Sequence, residues 1–283
     1  MIRKLILLIF VVLSTIGLTG WRIYLLGEGV EAFNGFFKPE FSNQGFIFAL
    51  ALVGVMLVAS VFAVTDKHFP GSPRRTSISV AILNLCYTMM ILLHCFDLIN
   101  KVEDTFGVVL LICAVAFGSF MIYYAMCMFN FKRVFPVFCV LPLLYFVVNL
   151  AYSFINSFGV VKSNEIIFEI VALVFCVMFF LCYARYISKL QFYRIRKVTL
   201  AIGICTFITT AVYSFSNLFA PLFCEEYVSR TELSDGLFMA STSLYVLLFL
   251  VFSFANKRLY STYFKRQRVE YTSEAIDESI FGE

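Results

Sequence analysis

Charge is scarce in this sequence. Only 14% of its 283 residues are Asp, Glu, Lys or Arg, against about 25% in ordinary soluble domains. Histidine is nearly absent, with His68 and His94 the two copies, and Trp21 is the single tryptophan. The nine cysteines include no C-x-x-C pair and no Cys/His spacing of the kind that holds zinc. All but Cys224 fall in apolar runs, where a thiol packs as a small apolar group. The signatures G-x-S-x-G, H-E-x-x-H, G-x-x-x-x-G-K-[ST] and G-x-G-x-x-G are missing. Without a nucleophile–base pair or a metal set, the sequence gives no support to an enzyme and implies no cofactor. No internal repeat points to an inverted-repeat transporter. A nucleic-acid partner lacks the soluble basic domain that would carry it.

Long apolar runs are abundant, and 61% of the residues are hydrophobic. A bilayer span needs roughly 20 mostly apolar residues. Runs of that kind cover Leu5–Leu26, Phe46–Val64, Ile78–Ile99, Val108–Phe129, Phe135–Phe158, Ile166–Ile187, Val198–Phe219 and Leu237–Ala255. None alternates as a barrel strand would. The expected fold is all-α, a polytopic integral membrane helical bundle over residues 1–260. A tail over 261–283, basic and then acidic, is expected to be cytoplasmic and partly disordered.

The cations alternate in step with the spans. Arg3 and Lys4, then Lys67, Arg74 and Arg75, then Lys132 and Arg133 fall on one side. Arg185, Lys189, Arg194, Arg196 and Lys197, and the tail residues Lys257, Arg258, Lys265, Arg266 and Arg268, fall on the same side. The other side receives Arg22, Lys38, Lys101, Lys162 and Arg230, and most of the loop acids. By the positive-inside rule the cation-rich side is the cytoplasm, so both termini are inside. The first run also has the basic start and apolar stretch of a signal peptide. Residues Gly17 to Thr19 make a poor cleavage site, so a retained anchor is expected; cleavage would leave seven spans. Leu259, Tyr260, Tyr263 and Phe264 share a helical face among the tail cations. That suits either a short helix on the inner leaflet or an ordinary basic flank.

Pro142 lies inside the fifth run and is expected to kink it, whereas Pro136 sits where a missing N–H is tolerated. Gly45 with Ala49, Ala59 with Ala63 and Ala114 with Gly118 are small-xxx-small pairs suited to close helix contact.

Ionisable groups inside apolar spans are costly, so each is a site candidate. The stretch Asn84 to Asp97 carries Asn84, Tyr87, His94 and Asp97 on one side of a helix. Asn149, Tyr152, Ser153 and Asn156 share a face of the fifth run, Glu169 lies just inside the sixth, and Thr206, Thr209, Thr210, Tyr213 and Asn217 share a face of the seventh. His94, Asp97, Asn149, Tyr152, Asn156, Glu169, Tyr213 and Asn217 fall in the outer half. A buried amide or carboxylate needs a partner. One reading is an outward-facing ligand cup lined by His94, Asp97, Asn149, Tyr152, Asn156, Glu169, Tyr213 and Asn217. The other is that these groups join helices or reach the headgroup region. His68 lies in a cytoplasmic loop and is expected to be solvated.

Glu225, Glu226 and Arg230 form an E-E-x-x-x-R string, which resembles the CAAX-protease-like intramembrane peptidases over six residues. No histidine follows His94, so the histidine motifs of that family are missing. A broader likeness runs from Phe46 to Tyr260. A basic turn is followed by a proline-bearing helix ending in Asn and Tyr, and a Tyr/Arg-rich inner loop precedes another span. This order resembles the seven-helix sensor module of bacterial membrane histidine kinases, without a kinase domain. The resemblance implies a receptor-like bundle in the bacterial cytoplasmic membrane that signals through a separate partner protein.

The expected function is therefore a ligand-sensing, non-catalytic multi-pass membrane protein. Its partners would be the lipid bilayer, a small molecule from the extracytoplasmic side and a signalling or membrane protein. A small-solute transporter and a structural or assembly factor are the alternatives. A transporter should continue its polar groups inward, through Ser119, Tyr123, Cys127 and Asn130 of the fourth run.

Overall fold

The computed structural model describes residues 2–30, 36–65, 73–102, 105–130, 134–156, 164–188, 192–223 and 233–254. The E-E-x-x-x-R string, His68 and the tail lie outside the described residues. Eight helices follow in order: α1 Ile2–Tyr24, α2 Ser42–Thr65, α3 Pro73–Lys101, α4 Thr105–Phe129, α5 Leu141–Asn156, α6 Asn164–Ile187, α7 Phe192–Phe223 and α8 Leu233–Phe254. Among the described residues no strand is present beyond an isolated bridge between Val30 and Phe37. Eight helical spans among the described residues are long and apolar enough to cross a membrane.

Several helices begin or end a few residues beyond their apolar runs. α3 starts at Pro73 and α7 at Phe192, because polar residues outside the apolar stretch still close backbone hydrogen bonds. α1 ends in a π-turn, Leu25–Gly29. The Lys38 amide donates to the Gly29 carbonyl (2.8 Å), and Lys38 Nζ donates to the Glu28 carbonyl (2.8 Å), joining the two sides of the α1–α2 turn.

In the fifth span, Pro142 stands beside a change of helix type. The span opens with a 3₁₀ segment, Pro136–Val140, and α-helix begins at Leu141. Pro142 therefore falls in the first turn of α5, a position that tolerates proline.

Side-chain pairs fix the directions of the helices. Asp97 meets Ser234 while Asn84 meets Tyr245, so α3 and α8 are antiparallel. Phe106 meets Tyr152 while Phe117 meets Tyr145, so α4 and α5 are antiparallel. The same holds for α5 and α6 through Ser153–Glu169 and Phe146–Phe180. We call the end that holds Asp97 and Ser234 distal, and the opposite end proximal.

α7 is the most enclosed helix and packs on α1, α2, α6 and α8. A Cβ on Gly203 would lie 2.8 Å from Leu250 Cδ1, so glycine lets α7 approach α8. Ala114 is buried, and a Cβ on Gly118 would meet Ile91 at 3.4 Å, so that small pair faces α3. Ala59 and Ala63 are also buried, whereas Gly45 faces the Phe37 ring. The centre is aromatic: Phe117, Tyr145, Phe146, Phe180 and Phe238 are all buried and linked by successive ring contacts. The outer faces carry exposed Phe46, Leu50, Leu57 and Val61 on α2 and Ile6, Leu13 and Ile16 on α1, as surfaces solvated by hydrocarbon would.

Candidate functional site

His94 lies two turns before the end of α3 and is 5% exposed. The ring stacks on Phe238 of α8, with centroids 4.4 Å apart and an interplanar angle of 12°. Its Nε2 is 2.8 Å from the Tyr145 hydroxyl of α5. Its Nδ1 is 3.5 Å from Oδ1 of Asp235, whose side chain is 44% exposed. Nδ1 approaches the carboxylate at ion-pair distance without hydrogen-bond geometry, so Asp235 acts on the ring through its charge, and Nε2 donates to or accepts from the tyrosine according to the tautomer. One imidazole thus ties α3, α5 and α8 together, and Asp235 links it to the distal surface. One turn on, Ser234 donates to Asp97 Oδ2 at 2.7 Å. Asp235 also sits in the first turn of α8, where the helix dipole favours a negative charge.

A second group joins α1, α5, α6 and α7 in the distal half. Glu169 accepts from the Ser153 hydroxyl at 2.9 Å and also bonds the Tyr213 hydroxyl. The Arg22 guanidinium stands 3.8 Å over the Phe168 ring. Arg22 and Glu165 are both buried. Arg22 is therefore no loop cation, because its flat guanidinium can bury against an aromatic face. It brings positive charge to the part of the bundle that holds Glu165 and Glu169.

A third group lies deeper, toward the proximal end. The Tyr245 hydroxyl donates to Asn84 Oδ1 at 2.9 Å, and the Tyr183 hydroxyl is 2.9 Å from that of Tyr245. One turn away, Tyr87 and Thr242 join at 2.7 Å. Tyr87 stacks on Tyr245 with centroids 4.4 Å apart.

The sequence-derived candidates thus fall into two groups on different helix pairs. His94 and Asp97 face α8. Glu169 and Tyr213 bond each other. Tyr152 is half-buried and contacts Phe106 of α4, and Asn149 is half-buried. Asn217 is buried on α7. Asn156 ends α5, and its side chain lies outside the described residues. The α7 threonines donate to their own helix, Thr209 to the Cys205 carbonyl (2.9 Å) and Thr210 to the Thr206 carbonyl (2.6 Å). Thr206 also reaches the Phe175 carbonyl of α6 at 3.0 Å.

Of the α4 residues that a transporter would use, Cys127 is buried and Tyr123 half-buried. Ser119 is exposed and bonds its own helix, Asn130 is exposed, and the Tyr123 hydroxyl accepts from the Phe135 amide at 3.2 Å. The deeper polar groups run between α3 and α8.

Tyr145, Asp235, Tyr183, Tyr245 and Arg22 were not among the candidates. A tyrosine standing in a run of Leu, Val and Phe was the available signal for Tyr145, Tyr183 and Tyr245, since a buried phenol needs a partner. Asp235 read as a loop acid, and only the start of α8 at Leu233 turns it toward His94.

The fold defines a class, an all-helical bundle with eight helices among the described residues able to cross a membrane. Comparison with protein-family models, with curated proteins and with solved structures finds no match for this chain. Among the described residues no cluster of three or more His, Cys, Asp or Glu is arranged to hold a metal ion.

Proposed function

We propose that this chain is a receptor-like multi-pass membrane protein, with both termini in the cytoplasm. Its distal polar groups would take a small polar ligand from the extracytoplasmic side. The observation that carries this reading is His94, a buried imidazole hydrogen-bonded to Tyr145 and 3.5 Å from the half-exposed carboxylate of Asp235. A ligand that engages the exposed carboxylate of Asp235 competes with His94 for it. Such competition shifts α8 against α3, and a ligand can move a two-state packing only through such differential contacts. The shift would be read at the basic proximal loops by a separate protein. No bond is made or broken in this role. Glu169, Tyr213, Asn149, Tyr152, Asn156 and Asn217 would supply further hydrogen-bonding contacts.

A thermal-shift screen of the detergent-solubilised chain against small polar metabolites tests the reading. A stabilising ligand should lose its effect in His94→Ala. The same shift in His94→Ala and Asn149→Ala as in the parent would remove both residues as contacts. Reporter fusions at both termini test the orientation.

A small-solute transporter is the second reading. It is favoured by polar groups that continue past the middle of the bundle, from Tyr87 and Thr242 to Asn84, Tyr245 and Tyr183. Uptake of a ligand from that screen into proteoliposomes, abolished by Tyr245→Phe, would favour transport over sensing.

A further inference from the structure

Asn84 is fully buried on α3, and its Nδ2 group has no hydrogen-bond partner among the described residues. The directions of the neighbouring bonds can be worked out. Thr242 gives its hydroxyl proton to the Phe238 carbonyl (2.9 Å), so Tyr87 must donate to Thr242. Tyr245 gives its proton to Asn84 Oδ1, so Tyr183 must donate to Tyr245. Every hydroxyl proton in the group is then used. The two amide protons of Asn84 are left over, as are acceptor lone pairs on the oxygens of Tyr87 and Tyr183.

We propose that Asn84 Nδ2 binds a single internal water molecule between α3 and α8. This water accepts from the amide and donates to the Tyr87 oxygen or the Tyr183 oxygen. Buried polar groups are almost always satisfied, and internal waters do this where two or more polar partners converge. The chemistry selects the occupant. The unpartnered group is a donor, so a cation does not fit. No Lys or Arg side chain is among the groups bonded here, and an anion in such a place would lack compensation. Turning the amide over would leave an acceptor unpartnered in place of the donor. Water, being both donor and acceptor, serves either orientation. Three facts set the place: Asn84 accepts from α8, Tyr87 stacks on Tyr245, and Tyr87 lies one turn along α3 from Asn84. A water that donates to the Tyr87 oxygen joins the polar groups from Thr242 to Tyr183 into one network. The inference holds whether the protein senses or transports.

A high-resolution structure of the full chain tests it. The expected result is a density peak within hydrogen-bond distance of Asn84 Nδ2 and of one of the two tyrosine oxygens. An amide surrounded only by apolar side chains, with no such peak, overturns the proposal. The infrared spectrum of the folded protein in H₂¹⁸O gives an independent readout. The parent should show an isotope-sensitive internal O–H band that is missing from the double variant Asn84→Leu with Tyr245→Phe. That variant removes the amide and the hydroxyl that needs it as acceptor. A band unchanged in the double variant, with the helical circular dichroism intact, counts against the site.

Discussion

The Tyr145 hydroxyl lies 2.8 Å from Nε2 of His94, across the interface between α5 and α3. Both side chains are buried, so neither can exchange its partner for water. Tyr145→Phe should lower stability to unfolding in mixed micelles by about 1 kcal/mol. A double-mutant cycle with His94→Phe should give a coupling of roughly 0.6 kcal/mol or more. Additive losses would show that the contact contributes nothing.

Glu169 is held by hydroxyls from two other helices, Ser153 and Tyr213. Glu169→Gln keeps a carbonyl acceptor, whereas Glu169→Leu leaves both hydroxyls to find other partners. The leucine variant should therefore melt below the glutamine variant, by about 1 kcal/mol of unfolding free energy. Equal melting temperatures would mean that the carboxylate makes no stabilising contact.

Arg22 places its guanidinium 3.8 Å from the centroid of Phe168. A lysine keeps the charge and loses the flat face. Arg22→Lys should cost roughly 0.5–2 kcal/mol, and much less in a Phe168→Leu background. A cost that is the same in both backgrounds would assign the effect to other contacts of Arg22.

Gly203 permits the close approach of α7 to α8, since a Cβ there would sit 2.8 Å from the Leu250 side chain. Gly203→Ala should destabilise by about 1–3 kcal/mol. In a Leu250→Ala background the methyl group has room, and its cost should fall toward zero. A loss that persists there would place the strain in the backbone instead.

The helices were legible because apolar length is a local property. Each run long enough to span became a helix, and the small-residue pairs at Ala59 and Ala114 turned up in the core. Beside Pro142, nothing local says where the 3₁₀ turn gives way to α-helix. At the candidate site, helical spacing identified which residues share a face, and His94, Asp97, Glu169 and Tyr213 do meet polar partners. It could not say that Tyr152 turns toward α4 while Ser153 turns toward α6. Adjacent positions on one polar arc can face different neighbours, and only the packing assigns them.

The sequence by itself determined that this chain makes apolar helices of spanning length, because solvation by hydrocarbon acts on each segment separately and leaves the backbone to satisfy itself. It also determined that the polar groups within those helices would need partners. Which partners was a tertiary decision. Asp235 serves His94, Tyr245 serves Asn84 and Phe168 receives Arg22, over separations of 141, 161 and 146 residues in the chain. Those pairings depend on the relative rotation and register of whole helices, which close packing of the shared aromatic core fixes and a single segment cannot encode.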